Sequence, residues 1–105
     1  MNDADMQPNM VLVTRVNART LLANALTGRG EPEYALDTLP EVFEETAAAQ
    51  YSAGLSRAHL ELARALKVAG RPEPYEQHLS AARQIASEHK LLAVLHSVEA
   101  LSEET

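Results

Sequence analysis

Residues 19–50 read RTLLANALTGRGEPEYALDTLPEVFEETAAAQ, and residues 59–90 read HLELARALKVAGRPEPYEQHLSAARQIASEHK. Laid over each other at an offset of 40 residues, Leu22 falls on Leu62, Ala23 on Ala63, Ala25 on Ala65 and Leu26 on Leu66. Gly30 then falls on Gly70, Pro32 on Pro72, Glu33 on Glu73 and Leu39 on Leu79. Alanine and leucine matches are cheap in a chain rich in both. The Gly-x-Pro-Glu match is not, because it lies in the turn between helices of both copies. The register continues outward, with Ala18 on Ala58, Ala53 on Ala93 and Leu55 on Leu95. Such self-similarity is the mark of a repeat architecture. The plain alternative is a five-helix bundle in which the repeat is coincidence.

Working outward, apolar residues recur at helical spacing and glycine or proline punctuates them. Pro8 suits the first turn of helix one, which runs to about Thr27 and stops at Gly28-Arg29-Gly30. Glu31-Pro32 opens helix two, expected to about Ala49. Helix three covers roughly Ser52 to Val68, and Arg71-Pro72-Glu73-Pro74 opens helix four, which ends near His89. Helix five carries Leu91, Leu95, Val98 and Leu101. Val11, Val13, Thr14 and Val16 also read as a short strand, but a lone strand has nothing to pair with. Pro40 interrupts helix two by removing one backbone hydrogen bond. Either helix two continues through it with a kink, which is the preferred reading, or it starts late at Thr38, with Thr38 and Glu41 as a capping box. Residues 1–7 are expected to form a flexible tail, and residues 8–105 a single helical domain.

The chain has 105 residues, no cysteine and a net charge of −6. Its mass is 11.4 kDa and its sequence pI is about 5.1. That is room for one small domain. Disulfides, thiolate nucleophiles and Cys-ligated metals are excluded. An acidic balance argues against nucleic acid as a partner, since phosphates call for clustered cations. The longest apolar runs, at residues 10–13 and 91–95, are far short of the roughly 20 residues of a membrane span. The acidic start, Met1-Asn2-Asp3-Ala4-Asp5, is unlike a secretion signal. The expected compartment is the cytoplasm, without a membrane partner.

Leu-Ala-x-Ala-Leu, a glycine turn and a second apolar-periodic helix resemble the tetratricopeptide repeat. Alanines at 23 and 63 let a neighbouring helix approach, and Leu22, Leu26, Leu62 and Leu66 fill the space between paired helices. Ala35 stands where the second helix of that family carries alanine. The resemblance covers roughly residues 15–101, as two repeats plus one extra helix. It implies an all-α fold, a right-handed α-α superhelix of about five antiparallel helices. There are departures. The period is 40 residues, not the family's usual value of about 34. Tyr75 replaces the alanine equivalent to Ala35, and Arg19 and His59 stand where an apolar packer is common. The longer period resembles the divergent helical repeats of bacterial signal-transduction regulators.

Chemistry-bearing residues are sparse. His59, His78, His89 and His96 are the only candidates for imidazole chemistry, and they show no metal-ligand spacing. They are expected at the surface or half-buried, so neither metal nor cofactor is expected. Asp37, Glu41, Glu44 and Glu45 share one arc of helix two and read as a solvated face. No nucleophile motif is present, and Gly28-Arg29-Gly30 lacks the spacing of a phosphate loop. The basic residues are more pointed. Arg57, Arg64, Lys67 and Arg71 fall within roughly one quadrant of helix three at about 100° per residue. In tetratricopeptide proteins the first helix of each repeat lines a concave groove. That register implies a peptide-binding groove of Asn17, Thr20, Asn24, Arg57, Leu60, Arg64 and Lys67. Asparagine beside cations resembles the carboxylate clamp of chaperone-binding members, although Glu61 lies within a turn of Arg57 and a third repeat is missing.

These features point to a non-catalytic protein–protein interaction module, an adaptor that holds a peptide or partner helix in its groove. The partner is expected to carry acidic residues or a free C-terminal carboxylate. One rival is a ligand- or peptide-sensing regulatory domain of a bacterial transcription regulator, marked by a neighbouring DNA-binding segment. The other is a small helical enzyme, which needs titratable residues gathered in a pocket. A homodimer, or docking on a larger partner, is also expected, through helix one and possibly helix five. Met10, Val11, Leu12, Val13 and Val16 point nearly all round helix one, and Leu91, Leu92, Val94, Leu95, Val98 and Leu101 form an apolar arc on helix five, with Leu91, Leu95 and Val98 as its expected interface residues. A helix apolar all round is normally buried all round.

Overall fold

Every 20 residues the backbone steps into the left-handed region: Gly30 (φ 82°), Gln50 (φ 55°), Gly70 (φ 73°) and Lys90 (φ 56°). At each step the next residue's N–H reaches back five residues. Glu31 donates to the Leu26 carbonyl at 2.9 Å, Tyr51 to Thr46 at 2.8 Å, Arg71 to Leu66 at 2.9 Å and Leu91 to Ala86 at 2.8 Å. This bond closes a helix by satisfying one of its orphan carbonyls and turns the chain aside. The 40-residue sequence repeat is thus two 20-residue structural steps.

The computed structural model describes residues 10–104. Five helices follow in order, α1 (Met10–Gly28), α2 (Glu33–Ala48), α3 (Ser52–Val68), α4 (Pro72–Glu88) and α5 (Leu92–Ser102). No strand occurs among the described residues, so Val11 to Val16 belong to α1. The fold class is all-α, as the periodicity implies. The expected tail at residues 1–7 and Pro8 lie outside the described residues. α2 runs unbroken through Pro40 and opens at Pro32, not at Thr38. Pro72 takes the first position of α4, where the N–H it lacks would have no partner.

Each helix packs on the next, and α3 also packs on α1 and α5. The helices are therefore laid in chain order, and the molecule is 48 × 25 × 19 Å. The buried side of α2 is Ala35, Leu39, Val42 and Thr46. That of α4 is Tyr75, Leu79, Ala82 and Ala86, the same four positions 40 residues on. Only α3 is enclosed on most sides, burying Gly54, Ser56, Ala58, Leu60, Glu61, Leu62, Ala63, Ala65 and Leu66. Full burial of one leucine such as Leu60 contributes about 2 kcal/mol.

Candidate functional site

The odd-numbered helices α1, α3 and α5 form one face, crossed by a cleft of about 490 Å³. Asn17, Thr20 and Leu21 come from α1, Ala53, Gly54 and Arg57 from the first turns of α3, and Leu92 to Val94 from the first turn of α5. Tyr51 and Leu91, immediately before α3 and α5, complete the wall. Gly54 sits where a Cβ would come within 2.6 Å of the Tyr51 ring. The missing side chain lets the Tyr51 ring lie against the helix. The first turns of α3 and α5 carry no side-chain cap.

The expected groove divides. Asn17, Thr20 and Arg57 line this cleft. Thr20 is 5% exposed, and its hydroxyl donates to the Asn17 carbonyl at 3.1 Å. Leu60 is a fully buried core residue, not a groove contact. Asn24 and Arg64 are drawn to Glu61, which is 2% exposed. Asn24 Nδ2 donates to Glu61 Oε1 at 3.0 Å, and Arg64 Nε donates to the same oxygen at 3.2 Å. A carboxylate of this chain already occupies the position that a clamp would give to a ligand. Lys67 is committed too. Its ammonium donates to the Leu101 carbonyl at 3.2 Å, lies 3.6 Å from Glu104 and stands 5.9 Å above the Tyr75 ring. It fastens the C-terminal turn of α5 to α3.

Most other cations have acidic neighbours. Arg15 pairs with Glu45, Arg19 with Glu41 and Glu45, Arg29 with Glu31, and Arg83 with Glu99. The arc of acids on α2 is therefore partly engaged by α1. Among the described residues, the Arg57 side chain has neither ion pair nor hydrogen bond, and the residue is half-buried. The side chains of Arg71 and Lys90 are without such partners as well, but both residues are exposed.

The histidines separate into two kinds. His59 of α3 and His78 of α4 share a hydrogen bond between their Nδ1 atoms at 2.9 Å. Phe43 of α2 stacks on His59 at 4.2 Å between ring centres and on His78 at 5.6 Å. Burial, aided by the neighbouring His78, lowers the His59 pKa to about 4. Burial also lowers that of His78. Sequence spacing hides this pair, which lies on different helices. His89 and His96 are exposed and fall on either side of the Lys90 turn. No group of three or more metal-ligating side chains is gathered among the described residues.

The expected interface residues also divide. Met10 and Val11 are 73% and 70% exposed, and Val16 and Val98 are fully buried. Leu12, Val13, Leu91 and Leu95 are half-buried. Of the other members of the helix-five arc, Leu92 is 74% exposed, and Val94 and Leu101 are buried. Val16 and Val98 face the core because α1 and α5 each pack one stripe inward. No helix among the described residues is long and apolar enough to cross a membrane. Compared with protein-family models, curated proteins and solved structures, the chain has no match.

Proposed function

We propose that this chain is a cytoplasmic, non-catalytic interaction module, a tetratricopeptide-like helical stack that holds a partner polypeptide in the cleft across α1, α3 and α5. The observation that carries the reading is Arg57, a half-buried cation without a partner among the described residues, set in an apolar cleft. Stacks of this kind expose extended surfaces made by successive repeats. A homodimer through the exposed start of α1 belongs to the same reading.

Charge reversal tests the reading, one arginine at a time. Arg57→Glu inverts the cleft without touching an internal ion pair, so melting should stay within about 0.5 kcal/mol of the parent. Arg64→Glu removes the cation beside buried Glu61 and adds a like charge. It should cost about 3 kcal/mol or more. Partners retained by the immobilised parent should be lost by Arg57→Glu at unchanged melting temperature. Retention by the variant would remove the cleft from the function.

A further inference from the structure

A second set of side chains, apart from the cleft, carries chemistry that an interaction module does not use. His59 belongs to α3, His78 to α4 and Phe43 to α2. The ring centres of the two histidines are 5.1 Å apart, and their Nδ1 atoms are 2.9 Å apart. The difference is close to two imidazole radii, so both Nδ1 atoms lie near the line joining the ring centres. The rings therefore meet edge to edge, with their Nδ1 atoms head-on. One ring donates its Nδ1–H and the other accepts. Phe43 lies nearly parallel to both, at 18° and 27°. Its centre is 4.2 Å from that of His59 and 5.6 Å from that of His78. The point between the nitrogens thus falls within the roughly 6 Å reach of a cation over an aromatic face. Among the described residues neither Nε2 makes a hydrogen bond, and neither is a buried atom lacking a partner, so both reach water.

We propose that the Nδ1 atoms of His59 and His78 form a two-coordinate site for copper(I), with the Phe43 ring as its cover. Copper(I) has a filled d shell, and two nitrogens placed head-on satisfy it without further ligands. Zinc, nickel and copper(II) call for a fuller set of donors. No third histidine or carboxylate joins the pair among the described residues. Water would have to complete their shells, and Phe43 closes one side to it. On binding, the ion takes the place of the shared hydrogen. The donor ring gives up its Nδ1 proton and gains one at Nε2 from water. Both imidazoles stay neutral, and no net proton is released. Burial already keeps these rings uncharged at neutral pH, with lone pairs available. Metal–nitrogen bonds of about 2 Å require the nitrogens to part by about 1 Å, shared between two half-buried rings.

The test titrates the full chain with copper(I) alone, without oxygen, against a chromophoric copper(I) chelator. One ion per chain should bind, and X-ray absorption should show the edge feature of a linear ion held by two nitrogens. His59→Phe keeps a ring against Phe43 and removes one donor, so affinity should fall by about tenfold or more. His78→Gln should cost the same, and His96→Gln should cost nothing. If either pair variant fails to fold, silver(I) on the nitrogen-labelled parent decides, since both Nδ1 resonances should split by coupling to the silver nucleus. Unsplit Nδ1 resonances, or copper binding that survives loss of either histidine, overturn the site. Zinc bound as tightly as copper(I) overturns the choice of metal. Absence of copper(I) binding overturns the proposal outright. None of these outcomes touches the interaction reading, because the pair lies outside the lining of the cleft.

Discussion

His59 shows how one residue ties folding to pH. Its folded pKa of about 4 lies below the ordinary 6.5. The unfolded chain therefore binds more protons between those values, and stability falls as pH drops from about 6.5 towards 4. Above pH 6.5 the contribution is fully present. His59→Phe keeps an aromatic ring for Phe43 and removes one of the titrating groups. Its urea midpoint should fall less than the parent's between pH 7 and pH 4.5, and parallel pH curves would dismiss the role of His59. At the turns, Gln50 and Lys90 hold left-handed backbone with a Cβ, a strain of about 1–2 kcal/mol that glycine avoids. Gln50→Gly should gain about 0.5–1 kcal/mol, after glycine's greater freedom in the unfolded chain is subtracted. Conversely, Gly30→Ala should lose about 1 kcal/mol although nothing lies within 4 Å of the added carbon. Calorimetry resolves these changes, at about 4–8 °C per kcal/mol for a small domain.

At the scale of the element, α2 tolerates Pro40 because the ring is exposed and no packed neighbour has to move. What is missing is the N–H that would return to the Leu36 carbonyl. Pro40→Ala restores that donor and removes the ring's clash, so stability should rise by about 1–3 kcal/mol in urea unfolding. A fall would mean that the packing of α2 on α1 and α3 depends on the proline's local shape. α3 is the opposite case. It is covered by four helices and buries even Glu61, so its polar atoms are satisfied from inside, by Asn24 and Arg64.

For the whole molecule, the ends of the stack matter most. Leu62 is 5% exposed and its counterpart Leu22 is 45% exposed. Ala58 and Ala65 are buried where Ala18 and Ala25 are exposed. α3 has helices before and after it, whereas α1 is packed only by α2 and α3 among the described elements. Exposed apolar surface of this kind favours association. Sedimentation at micromolar concentration should therefore show a dimer, which Met10→Lys with Leu22→Lys should dissociate without lowering helicity. A parent chain that sediments as a monomer would count against association through α1.

From the end of α1 onward, the approximate bounds of the helices were legible because each is written locally: apolar residues at helical spacing, Gly30 and Gly70 at turns, Pro32 and Pro72 at starts. Val16, Leu60 and Val98 were legible as apolar, but not as core in preference to surface, since that depends on which neighbour covers each face. The same holds for the cations. Arg57, Arg64 and Lys67 share one face of α3 by spacing alone. Asn24 crosses from α1 to Glu61 and Leu101 offers its carbonyl from α5, so two neighbouring helices take part in fixing Arg64 and Lys67 internally. Sequence set the helical periods, because they arise from contacts within a few residues. Tertiary structure alone paired His59 with His78 and left the Arg57 side chain without a partner among the described residues, because those outcomes depend on side chains distant in sequence being brought within hydrogen-bonding reach.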